Sequence, residues 1–140
     1  MQDETNVRLY IFSICKTPEE ITEAVGIPCD KFWRIGDKRG KSIIKQKENG
    51  WALNSGLPNS ASLEEHIKKL LERLSPYKEK IRMFAQHEDV QFSCIIYTAT
   101  RPPLYFSKKV IQQINYLEAS LDIDLYIVPN EATNAGGMPT

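Results

Sequence analysis

The residues best suited to molecular recognition lie in a basic-aromatic loop, residues 30–48, which contains seven Lys/Arg and three Asp/Glu. Arginine can hold a carboxylate or phosphate through two parallel hydrogen bonds, and tryptophan adds a large apolar contact area. This composition suits an anionic ligand or an acidic patch on a partner protein. The alternative is a solvated loop whose aromatic side chains close over the core. The candidate binding residues are Trp33, Arg34, Asp37, Lys38, Arg39 and Trp51.

No pattern in the sequence indicates catalysis. Of the two histidines, His66 lies on a predicted helix and His87 at the end of the next one, and no spacing suggests a Ser/His/Asp or Cys/His set. The segment 36–40 lacks the spacing of a phosphate-binding loop. Asp122 and Asp124 lie two apart on a predicted strand, where paired carboxylates can bind a metal, but such pairs are far more common on a solvated face. We therefore predict no catalytic residues, no metal and no cofactor.

Composition and charge argue against a nucleic-acid-binding, membrane or secreted protein. A chain of 140 residues suffices for one domain with a sizeable core. Its 18 basic and 18 acidic residues cancel, which argues against a dedicated nucleic-acid binder. No apolar run is long enough to span a membrane, and residues 1–4 lack the apolar region of a signal peptide. The three cysteines have no CxxC spacing, which is typical of a reduced protein. We expect a cytoplasmic protein with no nucleic-acid or membrane partner.

The elements that must position the candidate residues are centred on two predicted helices, about 62–74 and 76–86. Ser62 and Glu65 form a capping-box pattern at the start of the first helix, and Pro76 suits the first position of the second. The first helix has an apolar stripe with helical spacing, formed by Leu63, Ile67, Leu70, Leu71 and Leu74. We expect this stripe to lie in the core.

Three long strands are predicted outside this region. Residues 7–15 and 90–98 are apolar on both alternating faces, which is typical of central strands. Residues 121–128 alternate apolar and polar side chains, which predicts one face in the core and one in solvent. The predicted inward side chains are Leu121, Ile123, Leu125 and Ile127, and the outward ones include Asp122 and Asp124. Two further helices are predicted to begin after the caps Thr17 and Ser107.

The middle of the chain carries a hairpin signal. Asn49-Gly50 between two extended flanks, 42–48 and 51–55, predicts a β-hairpin with a type I′ turn. The aperiodic stretch before it, residues 27–41, is predicted to be a long loop, and long loops in compact domains are often functional.

The resulting order, β-α-β-β-α-α-β-α-β, predicts a single two-layer α+β domain with helices packed on a mixed, largely antiparallel sheet. The domain is predicted to span residues 7–128. A disordered N-terminus, residues 1–6, and a disordered C-terminal tail, residues 129–140, are predicted to flank it.

Six segments spread over residues 7–128 form a further pattern: Pro18–Gly26, Trp33–Asp37, Gly50–Leu53, Ser62–His66, Leu70–Leu74 and Leu121–Tyr126. Together they resemble the bacterial family catalogued as domain of unknown function 4279. The resemblance implies a bacterial origin and a one-domain architecture. It implies no activity and supplies no catalytic residues.

We expect a small, non-enzymatic protein that acts by binding another protein. Immunity proteins, which neutralise toxins, are one class of small neutral domain without a catalytic set. The alternative is a sensor or enzyme for an anionic small molecule, with its site between the 27–41 loop and the 42–55 hairpin. A closed pocket of about 300–1,000 Å³ would favour this alternative, and a flat exposed patch would favour protein binding. The sequence leaves the oligomeric state open, a homodimer included.

Overall fold

Alternation of apolar side chains along the first strand determines which face of the sheet is covered. The computed structural model describes residues 3–129, and its first strand, β1, spans Glu4–Ser13. Successive side chains of a strand point to opposite faces. The intervening side chains, such as Tyr10, therefore lie on an open face that none of the described helices covers. The side chains of β1 that lie beneath the helices are all buried: Thr5, Val7, Leu9, Ile11 and Ser13.

The remaining elements follow the predicted order. They are α1 (Pro18–Val25), β2 (Lys31–Trp33), β3 (Asn49–Asn54), α2 (Leu63–Leu74), a 3-10 turn (Ser75–Tyr77), α3 (Lys78–Ala85), β4 (Asp89–Thr98), α4 (Lys108–Tyr116) and β5 (Ser120–Ile127). The strands form one sheet in the order β2-β3-β1-β4-β5. Neighbouring strands are antiparallel except β4 and β5, which are parallel. The fold is α+β with a mixed, largely antiparallel sheet, as predicted.

Local capping signals determine where α1 and α2 begin. Ser62 Oγ accepts a hydrogen bond from the Glu65 N–H, and the Glu65 carboxylate accepts one from the Ser62 N–H. Thr17 and Glu20 form the same reciprocal pair before α1. Such pairs satisfy amide groups that otherwise have no partner in the first turn. The predicted apolar stripe of α2 is buried, together with His66.

The hairpin predicted around Asn49-Gly50 is wrong. Both residues lie inside β3, which pairs with β1 on one side and with β2 on the other. The second strand of the chain is β2, within the predicted 27–41 loop, and residues 42–48 contain no strand. Gly50 has no positive φ, so the turn conformation that favours glycine is not the reason for this residue.

The predicted limits of the ordered domain also need correction. Strand β1 begins at Glu4, which lies opposite Tyr97 of β4, so residues 4–6 are not a disordered end. Thr5 is buried because the pairing with β4 continues to this end of the strand. The rest of the predicted disordered N-terminus, residues 1–2, and residues 130–140 of the predicted tail lie outside the described part of the chain.

Strand β5 lies at the edge of the sheet, and its predicted inward face is largely exposed. Leu121, Leu125 and Ile127 are 39%, 41% and 60% exposed, and Ile123 packs against the core. The reason is its position in the sheet, because the buried core lies over β1, β3 and β4 and the edge strand extends beyond it. Asp122 and Asp124 are exposed on the other face.

Candidate functional site

The open face of the sheet carries an aromatic cluster formed by Tyr10, Phe12 and Trp33. Tyr10 and Phe12 lie two apart on β1, and their ring centroids are 5.5 Å apart in a stacked arrangement. The Trp33 ring lies 5.8 Å from Tyr10 and 6.1 Å from Phe12. Strand β3 runs between β1 and β2, and opposite Phe12 and Tyr10 it carries the small residues Gly50 and Ala52 on this face. The cluster can therefore close over β3.

One polar atom of this cluster has no partner. Trp33 is half-buried, and its indole Nε1 is enclosed without a hydrogen-bond acceptor among the described residues. A buried N–H group without an acceptor is unfavourable by about 1–3 kcal/mol. An acceptor on a bound molecule that displaced part of the cluster would relieve this deficit.

A basic arm, residues 36–47, follows β2 and folds back on itself. The Gly36 N–H donates to the Gln46 carbonyl over 2.8 Å, and the Gln46 N–H donates to the Asp37 carbonyl over 2.7 Å. The Asp37 carboxylate accepts a hydrogen bond of 2.8 Å from the Arg34 N–H, which fastens the base of the arm. The predicted loop is therefore a hydrogen-bonded projection with a defined shape.

An open cavity of about 1060 Å³ lies between the basic arm and the aromatic cluster. Two acidic residues, Asp37 and Glu48, also line it. None of its cationic side chains forms an ion pair with any residue in the range 3–129. Their charges are therefore available to an anionic molecule, which a concave cationic site attracts. The cationic lining residues are Lys31, Lys38, Arg39, Lys45 and Lys47.

The structure brings four of the six candidate residues together at this cavity: Trp33, Asp37, Lys38 and Arg39. The other two lie elsewhere. Trp51 is fully buried among the core residues on the helix-covered face, and its indole N–H donates to Thr22 Oγ1 over 3.0 Å. It is one residue from Gly50 along the strand and so points to the opposite face. Trp51 is therefore not among the residues that line the cavity.

Arg34 also points away from the cavity. Its guanidinium pairs with the Glu19 carboxylate of α1, with 3.0 Å between Nη1 and Oε2, and lies 5.2 Å above the centre of the Phe32 ring. Hydrogen bonding from Arg34 lowers the pKa of Glu19 to about 2. Because both side chains are exposed, this pair contributes little to stability. Arg34 therefore joins the base of the arm to α1 and is not a lining residue.

Sequence reasoning missed several residues of the cavity, namely Tyr10, Phe12, Lys31, Lys45 and Lys47. The sequence of β1 does contain a signal for Tyr10 and Phe12. The strand face that carries Val7, Leu9 and Ile11 is mainly aliphatic, whereas the alternate face carries aromatic and polar side chains. A strand with an aliphatic face and a mixed aromatic-polar face fits a sheet with one open side.

Ser55 and His66 form a hydrogen-bonded pair away from the cavity. Ser55 Oγ lies 2.6 Å from His66 Nδ1, which is the contact a nucleophile and its base would make. Both residues are buried, and burial lowers the pKa of His66. Both side chains are almost fully shielded from solvent in the folded protein.

No group of three His, Cys, Asp or Glu side chains within residues 3–129 is placed to hold a metal ion. No helix in that range has the length and apolar character needed to cross a membrane.

Comparison with known proteins identifies the family to which the chain belongs. No curated protein matches the chain, and no solved structure matches it. One family model covers residues 3–128, which includes every strand and helix described above. The chain therefore belongs to the family described as domain of unknown function (DUF4279).

Proposed function

We propose that this protein is a non-enzymatic binding protein, and that its basic arm and aromatic cluster recognise an acidic segment of another protein. The observation that carries the proposal is the cavity itself. Five cations without ion-pair partners among the described residues surround a floor of three aromatic rings. Carboxylates of a partner would pair with the cations, and an apolar side chain beside them would pack on the rings.

The shape of the cavity favours a protein segment over a small molecule. Its volume of about 1060 Å³ is at the upper limit for pockets that enclose a small ligand, and it is open to solvent. The tip of the arm adds an apolar contact, because Ile43 is 91% exposed and Ile44 is 55% exposed. Exposed isoleucines beside cations fit the apolar centre and polar rim of a protein interface.

The lining groups are suited to binding charge and to stacking. The side chains named at the cavity are lysine, arginine, aromatic and acidic residues, with no imidazole or thiol among the described lining residues. A protein of this kind would act stoichiometrically, as immunity proteins act on toxins. A cytoplasmic location belongs to the proposal, since Cys15, Cys29 and Cys94 are free thiols.

A second candidate is a small anionic ligand with a flat ring, and one observation favours it. Trp33 presents an aromatic surface at the cavity that Lys31 and Lys38 also line, and its enclosed indole N–H has no acceptor among the described residues. A ring with an attached phosphate or carboxylate would stack on the indole while its charge met the lysines.

The experiment uses a library of seven-residue peptides in which acidic and apolar residues alternate, with a matched library carrying lysine at the acidic positions. The parent protein should enrich acidic sequences. The Lys38→Ala/Arg39→Ala variant should bind the enriched peptides about tenfold or more weakly, as expected for the loss of charge-assisted hydrogen bonds. Arg34→Ala is a matched control, because it removes a cation from the same segment but outside the cavity.

The outcomes separate the two candidates. Equal peptide binding by the parent and by Lys38→Ala/Arg39→Ala, with both proteins folded, would exclude the basic arm as the site. Competition by a nucleoside monophosphate at concentrations below those needed for the best peptide would favour the small-ligand candidate. A loss of peptide binding in Arg34→Ala equal to that in Lys38→Ala/Arg39→Ala would show that overall charge, rather than the cavity, drives binding.

A further inference from the structure

The outer edge of β5 differs from the opposite edge of the sheet. Exposed edges are usually short, or carry lysine or proline, because a free edge is a template for pairing with another chain. The β2 edge has three residues, one of them Lys31. Strand β5 has eight residues, Ser120–Ile127, without lysine, proline or glycine. Its pairing within the described chain is with β4 alone.

The free backbone groups of this edge belong to its apolar residues. The N–H of Val128, just beyond the strand, donates to the Thr98 carbonyl of β4 over 2.8 Å. Successive backbone groups in a strand point alternately to its two sides. The groups of Asp122, Asp124 and Tyr126 therefore point toward β4, and those of the intervening apolar residues point outward.

We propose that β5 pairs antiparallel with β5 of a second copy of this chain, which joins two five-stranded sheets into one. A two-fold axis perpendicular to the sheet keeps the apolar faces of both copies on the same side. The half-exposed Leu121, Leu125 and Ile127 would then meet the same surface of the second copy instead of solvent.

The two aspartates exclude some registers of this pairing and allow others. A register centred on Ile123 would place Asp122 opposite Asp124, and one centred on Asp124 would place that residue opposite itself. Like charges directly opposite each other are unfavourable in a sheet. A register centred on Leu125 avoids both problems, because it pairs Ile123 with Ile127 and Asp124 with Tyr126. The charge pattern of the strand therefore suits a copy of itself.

The end of the chain is a less suitable partner for this edge. The sequence from Asn130 to Thr140 contains one large apolar residue, Met138, and no alternating pattern. It has no series of side chains to cover Leu121, Leu125 and Ile127. A second β5 supplies such a series in the required register.

The first test is the mass of the full chain in solution by light scattering over a range of concentrations. The parent should reach twice the 16.0 kDa of one chain. Leu125→Lys places two lysines opposite each other on the axis and should give the monomer mass. Ile111→Lys is the matched control, because it changes an isoleucine on α4 that is 56% exposed and should leave the dimer unchanged. Circular dichroism should confirm that both variants are folded.

A second variant keeps the proposal testable if Leu125→Lys does not fold. In a Cys15→Ser/Cys29→Ser background, Leu125→Cys should form an intermolecular disulfide under mild oxidation. Hydrogen-bonded antiparallel pairs have a Cα separation of about 5.5 Å, within the range that a disulfide spans. Leu121→Cys, which does not face itself in this register, should not form the disulfide.

Several results would overturn the proposal. One is a parent that remains monomeric at every concentration. Another is a dimer that persists in folded Leu125→Lys. A third is disulfide formation by Leu121→Cys in preference to Leu125→Cys, which would exclude the register. If the parent is monomeric and a chain ending at residue 129 dimerises, the C-terminal residues occupy the edge in place of a second copy.

Discussion

The indole of Trp33 lies directly against the backbone of Gly50, so that a Cβ built on residue 50 would fall 2.0 Å from Trp33 Cε2. No side chain larger than hydrogen fits at this position while Trp33 keeps its place. Gly50 is therefore required for close approach within a strand. This contact holds the floor of the proposed binding cavity together.

Gly50→Ala should displace Trp33 and destabilise the protein by about 1–3 kcal/mol, the usual effect of overpacking. In a Trp33→Ala background the clash is absent, and the same substitution should be neutral or stabilising because alanine is favoured over glycine in a strand. Urea unfolding of the four proteins in this double-mutant cycle measures the coupling. Equal destabilisation by Gly50→Ala in both backgrounds would contradict the contact.

The two tryptophans should respond differently to a soluble anionic quencher. Trp51 is fully buried, whereas Trp33 lines the cationic cavity. Iodide should therefore quench the fluorescence of the parent but have little effect on Trp33→Phe, in which Trp51 is the remaining tryptophan. The Lys38→Ala/Arg39→Ala variant should lose part of the iodide response and keep its response to neutral acrylamide, because only the anion is attracted by charge. Loss of both responses would instead indicate a change of structure.

His66 should make the stability of the fold depend on pH. Burial lowers the pKa of His66 below its ordinary value of 6.5, so the unfolded chain binds the proton more tightly than the folded one. The contribution of His66 to stability is thus fully present above pH 6.5 and is lost as the pH falls through the folded pKa. Melting temperatures measured from pH 8 to pH 5 should fall less for His66→Gln than for the parent. His87→Gln, a substitution of an exposed histidine, serves as the control for the change of residue type.

Cys94 should be unreactive toward thiol reagents in the folded protein. Burial raises the pKa of its thiol to about 12, and the nucleophilic thiolate is therefore absent at pH 8. Its contribution to stability is fully present below the ordinary value of 9 and is lost as the pH rises through the folded pKa. A disulfide reagent at pH 8 should modify exposed Cys15 first, and Cys94 only after unfolding. Rapid modification of Cys94 in native Cys15→Ser/Cys29→Ser protein would contradict its burial.

Removal of the contact between Arg34 and Glu19 should change stability little. The pKa of Glu19 is about 2 because Arg34 donates hydrogen bonds to the carboxylate, so any stabilisation is present above pH 4.5 and is lost as the pH falls through about 2. Because both groups are exposed, the melting temperature of Arg34→Ala at pH 7 should lie close to that of the parent. A large loss would show that the base of the arm depends on this pair.

Several features of the fold could be predicted from the sequence because their causes are local. The capping residues Thr17 and Ser62 act on amide groups within the next turn of the helix, and the apolar stripe of α2 depends only on helical spacing. The existence of β1 and β4 followed from runs of β-branched and aromatic residues. The presence of many cations near Trp33 was likewise evident from composition alone.

Tertiary structure decided where each strand pairs and which way each side chain points. Asn49-Gly50 has the composition of a tight turn, but the pairing of β3 with β1 and β2 places it inside the sheet. That placement puts Trp51 in the core and leaves Gly50 beneath Trp33. Long-range contacts also separate Arg34 from Arg39. Arg34 pairs with Glu19 of α1, whereas Arg39 lines the cavity. Local composition cannot specify such positions, because strand partners distant in the chain determine them.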